Sequence, residues 1–103
     1  MKTRVPPTQM RRNARAATRL LRAIGHEARL MVLCALTEGE RTAGELNQEV
    51  PLSQSALSQH LAKLRSAGLV RTQREGRTVR YALASPAAAH LVGALRDWYR
   101  GQA

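Results

Sequence analysis

Residues 53–68 read SQSALSQHLAKLRSAG. Between the serines at its two ends, Ser53 and Ser66, the polar side chains are the amides and hydroxyls of Gln54, Ser55, Ser58 and Gln59, followed by His60, Lys63 and Arg65, and the stretch contains no acid. Glutamine amides form paired hydrogen bonds with adenine edges, and serine hydroxyls serve several base edges. Lysine and arginine answer phosphate. Wound as a helix, Leu57, Leu61 and Leu64 share one side while Gln54, Ser55, Ser58, Gln59 and Lys63 share the other. That outer side suits a groove lined with hydrogen-bonding groups and flanked by negative charge.

A second cationic group follows at once. Arg71, Arg74, Arg77 and Arg80 fall within ten residues, against one acid, Glu75. Two readings apply: a basic element reaching nucleic acid backbone or minor groove, or a solvated hairpin that keeps the protein soluble. Over the whole chain 17 Lys and Arg stand against 7 Asp and Glu, a formal charge of +10. Nearly all the bases are Arg, which makes planar, forked contacts with phosphate and guanine. A domain with this balance most often meets nucleic acid, with a membrane surface or an acidic protein as the alternative.

Other chemistries are poorly supplied. The single cysteine, Cys34, rules out an intrachain disulfide framework and a cysteine-based zinc finger, and fits a reducing, cytoplasmic setting. No Ser/His/Asp or Cys/His arrangement of known form and no Gly-rich phosphate loop is present, and carboxylates are too few for acid–base work, so an enzyme is not expected. His90 and Asp97 stand seven apart and alone, below the three or four converging ligands of a zinc site. The longest apolar run, Leu30–Leu36, is seven residues, against the roughly 20 needed to span a bilayer. Arg15, Arg19 and Arg22 interrupt any signal-like apolar segment. The sequence calls for no membrane, no metal and no cofactor.

The elements that must position these residues follow from periodicity and punctuation. A chain of 103 residues forms about one domain. Its core must be aliphatic, because aromatics are 3% and Phe is absent. Residues 1–12, with Pro6, Pro7 and no acid, read as a flexible basic arm, and residues 13–103 as the folded unit. From Asn13, Ala17, Leu20, Leu21 and Ile24 form one apolar stripe that stops at Gly25. A second helix is expected over His26–Thr37, closed by Gly39. Thr42 and Glu45 form a capping box for a short helix to Glu49. Val50-Pro51-Leu52 makes a tight connection, since Pro51 cannot extend a helix. Ser53 caps the next helix, Leu52 and Leu57 can staple its start, and Gly68 ends it. Residues 69–74 and 78–83 read as strands around Glu75-Gly76-Arg77, a hairpin. Ser85-Pro86 opens a last helix whose stripe is Ala88, Leu91, Val92, Leu95, Trp98 and Tyr99. The fold class is mainly α with a β-hairpin. A short helix, a tight turn, a second helix and then a basic hairpin make a winged helix-turn-helix.

The segments AIGHEARLMVLCAL and GELNQEVPLSQSALSQHLAKLRSAGLVRTQREGRTVRYAL resemble the ArsR/SmtB family of bacterial winged-helix repressors, over about residues 17–100. The resemblance implies a homodimer, built through the terminal helices, that binds double-stranded operator DNA and is released by an inducer. It assigns DNA contact to Gln54, Ser55, Ser58, Gln59, His60, Lys63 and Arg65 on the recognition helix and to Arg74, Arg77 and Arg80 on the wing. Within the family the likeness runs to the thiol-based, biofilm-repressor-like subgroup, sensors of sulfide, persulfide and oxidants. Those carry one Cys in the second helix, matched by Cys34, and another near the end of the last helix, where this chain has Arg100. The paired switch therefore cannot form within one protomer. Cys34 is either a small apolar filler or a single-thiol sensor, for which Arg100 could supply a nearby cation. The family's metal positions read Thr42-Ala43-Gly44-Glu45-Leu46 here, without the cysteines. The competing expectation is a nonspecific architectural DNA-binding protein with no inducer response.

Overall fold

Prolines and capping side chains set the start of each helix. The computed structural model describes residues 4–102, and the first three residues of the expected arm lie outside them. The order is α1 (Pro7–Ile24), α2 (Glu27–Leu36), β1 (Arg41–Thr42), α3 (Ala43–Glu49), α4 (Gln54–Ser66), β2 (Val70–Glu75), β3 (Thr78–Leu83) and α5 (Pro86–Arg100). The His26 ring caps α2 by accepting from the Ala28 amide at 3.1 Å. The Thr42–Glu45 capping box of α3 is complete. Ser53 caps α4, and Ser85 with Pro86 opens α5.

α2 and β2 differ by one residue at each end from the sequence expectation, and two departures are larger. α1 starts at Pro7, so residues 7–12 of the expected arm are helical. Pro6 is extended and its carbonyl accepts from the Met10 amide at 2.9 Å. Pro7 supplies the preset φ of a first helical residue and has no amide proton to orphan. The prolines thus start the helix. The second difference is β1, two residues that pair antiparallel with β3 through Arg41↔Tyr81 and Thr42↔Arg80. The hairpin is therefore the larger part of a three-stranded sheet, order β1-β3-β2.

The core is aliphatic, as the composition requires. Val32 and Leu33 of α2, Leu46 of α3, Leu57, Leu61 and Leu64 of α4, Leu69 and Val70 at the start of the wing, and Ala88 and Val92 of α5 are buried together with Ile24 and Val50. α1 contributes only its last turns. Ile24 is buried and Leu20 and Ala23 are half-buried, while every residue from Arg4 to Arg19 is exposed.

Candidate nucleic-acid interface

The angle between α3 and α4 is fixed by a short chain of hydrogen bonds. The Val50 amide donates to the Leu46 carbonyl at 2.8 Å, ending α3. The Asn47 side-chain amide donates to the Leu52 carbonyl at 2.7 Å and ties the turn back onto α3. Ser53 Oγ accepts from the Ala56 amide at 3.1 Å. Leu52 packs against the core cluster that contains Leu57. Asn47 was not among the expected site residues, although it positions them. An amide-bearing residue in the last turn of a helix that ends at Val-Pro was the available signal.

Held this way, α4 buries Leu57, Leu61 and Leu64 and exposes Gln54, Ser55, Ser58, Gln59, Lys63 and Arg65. No side-chain hydrogen bond or ion pair to another described residue engages any of these six. Their donors and acceptors are free for base edges and phosphates. No acid stands in the first turn, and Lys63 and Arg65 lie in the last.

His60 departs from this pattern. It is half-buried, its ring centroid lies 4.5 Å from that of His26, and its Nδ1 is enclosed without a partner. Burial first, then the neighbouring His26, Arg29 and Lys63, hold it below the ordinary histidine range. Its position makes it a packing contact between α4 and the start of α2 rather than a member of the open face. His26 sits at a helix start as the sequence suggested.

The wing arginines divide by register. β2 and β3 pair through Arg71↔Ala82, Gln73↔Arg80 and Arg74↔Val79. Alternation places Arg71 and Arg80 on one face and Arg74 on the other. Gly76 and Arg77 form the two-residue loop, with positive φ (63°) at Gly76 alone among the two, the pattern of a type II′ hairpin turn. Arg74 and Arg77 are exposed at the tip. Arg80 is half-buried and its guanidinium stands 4.0 Å from Glu45 of α3. It braces the sheet against α3, and is less available than its neighbours.

Cys34 lies on α2, half-buried against the core. Burial pushes its thiol up, and the Arg96 guanidinium opposes this in part. A thiol in that state is a weak nucleophile. Arg100 does not supply the expected cation, because it pairs with Glu38. Arg96 donates to the Thr37 hydroxyl at 2.6 Å, and that hydroxyl donates to the Cys34 carbonyl at 2.6 Å. Arg96 also lies 3.8 Å from Glu38. This cluster latches the end of α2 to α5. His90 is exposed, and Asp97 accepts from Arg96 at 2.9 Å. Among the described residues no three His, Cys, Asp or Glu side chains converge, and no helix is long and apolar enough to cross a membrane.

Comparisons with known proteins agree with this arrangement. The family model described as "Bacterial regulatory protein, arsR family" matches residues 26–72, from the cap of α2 into β2. The transcriptional activator HlyU of Vibrio cholerae is 45% identical over 91 residues, covering 88% of this chain and 84% of that protein. The biofilm growth-associated repressor of Agrobacterium fabrum is 42% identical over 91 residues, covering 88% of this chain and 78% of that protein. The solved structure of reduced HlyU from Vibrio cholerae superposes with a TM-score of 0.84, over 88% of this chain and 96% of that one. The chain thus shares its fold and more than two fifths of its matched residues with proteins named as transcriptional regulators. The chain belongs to the arsR family of bacterial regulatory proteins and has a winged helix-turn-helix fold.

Proposed function

We propose that the chain is a homodimeric transcriptional repressor that occupies operator DNA through α4 and the wing tip and leaves it when an inducer binds. The observation that carries this is the outer face of α4: six exposed amide, hydroxyl and cationic side chains with no partner among the described residues and no acid between them. In a helix-turn-helix the second helix enters the major groove with its N-terminal residues against base edges. Gln54, Ser55, Ser58 and Gln59 then read sequence, while Lys63, Arg65, Arg74 and Arg77 answer phosphate. Such a regulator works in the cytoplasm.

Dimerisation is supported by the two terminal helices. Leu21 on α1 and Leu95, Trp98 and Tyr99 on α5 stay exposed, Trp98 and Tyr99 at 64% and 66%. Apolar side chains of this size, left open on two helices of so small a protein, fit burial against a second copy. A two-fold axis would set the two α4 helices about 34 Å apart, one DNA turn, to read successive half-sites. The DNA-binding and dimerising unit takes in everything from Pro7 onward.

Competition binding tests the proposal. With about 4 phosphates neutralised per protomer, log affinity for the operator should fall with log salt at a slope near −7 for the dimer. Random duplex should compete poorly. Equal displacement by any sequence would instead favour a nonspecific architectural protein. The inducer reading is tested at Cys34. If treatment with persulfide or peroxide weakens operator binding by the wild type but not by Cys34→Ser, the thiol senses; identical curves make Cys34 a core filler.

A further inference from the structure

The recognition-helix reading leaves a second cationic surface unused. On α1, Arg11, Arg15, Arg19 and Arg22 recur at intervals of four, four and three, with Arg12 beside them. At 3.6 residues per turn these five share one side of the helix, and Arg11 to Arg22 spans about 16 Å along its axis. Ala17, Leu20, Leu21 and Ile24 take the opposite side. Because Ile24 is buried in the core, the arginine side is held facing out. All five arginines are exposed. None has an acidic partner among the described residues, and the first acid in the chain is Glu27.

This side is continuous on the surface with α4. A shallow groove on α1 runs from Arg11 to Arg22 and includes Arg19. Arg19 also lines the next groove, where α1 meets Ala67 and Leu69 just beyond α4. Ala67 in turn lines a third groove with Lys63, Ser66 and Arg29. The cations of α1 thereby join those at the C-terminal end of the recognition helix without an intervening carboxylate.

We propose that the arginine face of α1 is a second DNA-binding surface, gripping the sugar–phosphate backbone of duplex beyond the groove that α4 occupies. The inference rests on α4 being the recognition helix. Charge complementarity selects the occupant. A duplex carries about one negative charge per 1.7 Å of axis, and guanidinium forks match phosphate oxygens. The face contains arginine and threonine and no large apolar group, so it lacks the side chains with which an interfacial helix enters a bilayer. Contacts of this kind add affinity and footprint without reading sequence.

The test uses the full chain and two duplexes, one ending at the operator half-sites and one extended on both sides by about one helical turn of arbitrary sequence. The wild type should bind the longer duplex at least tenfold more tightly at low salt. Arg11→Gln/Arg15→Gln/Arg22→Gln should bind both lengths alike and keep its preference for operator over random sequence. Its salt slope on the long duplex should become shallower by about 5 for a dimer, from six lost phosphate contacts. The corresponding triple Lys variant should recover most of the slope. A triple Gln variant with wild-type slope and length dependence overturns the proposal. So does a wild type that binds phosphatidylserine vesicles through this face while both proteins treat the two duplexes identically. Length dependence without any operator preference would sink the α4 reading and leave α1 as a DNA-binding surface.

Discussion

The arginines at the α2–α5 junction and those on α1, α4 and the wing tip live in opposite surroundings. At the junction Arg96 reaches Asp97 and Glu38, Arg100 pairs with Glu38, and nearby Arg41 holds Glu49 at 3.0 Å. On α1, on α4 and at the wing tip, Arg11, Arg15, Arg19, Arg22, Arg65, Arg74 and Arg77 are exposed with no acidic partner among the described residues. Exposed pairs of the first kind contribute only about 0–1 kcal/mol each. Their effect is to fix the direction of a side chain and the seat of a helix. The second kind are open to solvent, where neutralising a polyanion's phosphates would release its counterions. With 7 acids for 17 bases, where the acids sit decides which arginines are structural.

The comparison can be broken by exchanging arginines from each population. On a duplex ending at the operator half-sites the largest effect is expected at the wing tip: Arg74→Gln/Arg77→Gln should weaken binding whatever the sequence and make the salt slope shallower by about 3 to 4 for a dimer. Arg96→Gln/Arg100→Gln, the same change in charge, should leave the slope nearly unaltered in the same titrations. Base reading should move independently of both. Gln54→Ala or Gln59→Ala should lose about 1–3 kcal/mol of discrimination at one base pair, measured with single-site operator variants, and keep the wild-type slope.

Smaller effects fall on the scaffold. Asn47→Ala removes the hydrogen bond to the Leu52 carbonyl and should lower stability by about 1 kcal/mol in urea unfolding. It should also relax operator preference, since Asn47 ties the turn that orients α4. The pH dependence follows from His60. Its folded-state pKa is depressed, so the unfolded chain takes up a proton near about pH 6.5 that the folded chain resists. The stability that His60 contributes is present above that pH and is lost as pH falls below it toward the folded-state value. Urea midpoints at pH 7.5 and 5 should differ more for the wild type than for His60→Gln. The smallest change is expected for Glu38→Gln, within about 1 kcal/mol.

Much of the scaffold was legible because its signals are local. The capping box at Thr42 and Glu45 links residues three apart, Ser53 and Ser85 announce helices directly, and most of the outer face of α4 follows from helical spacing, while Gln54, seven residues before the buried Leu61, is exposed as the first residue of the helix. Pairings distant in sequence were not legible. Arg100 meets Glu38 across 62 positions, and nothing near either residue signals it. Arg80 and Arg74 look alike in the sequence, yet strand alternation and the approach of Glu45 separate them. His60 read as part of the open face because no local pattern records His26 on another helix. β1 was missed because two residues cannot display a period. The start of α1 was missed because prolines that open a helix look like prolines that prevent one.

We infer that the unpaired cations and the free polar face of α4 meet a duplex as a two-fold pair. This is tested most directly by titrating salt against binding to the operator core, with random duplex as competitor. The expected result is a log–log slope near −7, from about 4 phosphates per protomer, with the operator retained while random duplex is displaced. A slope near zero, or equal displacement of both duplexes, would contradict it.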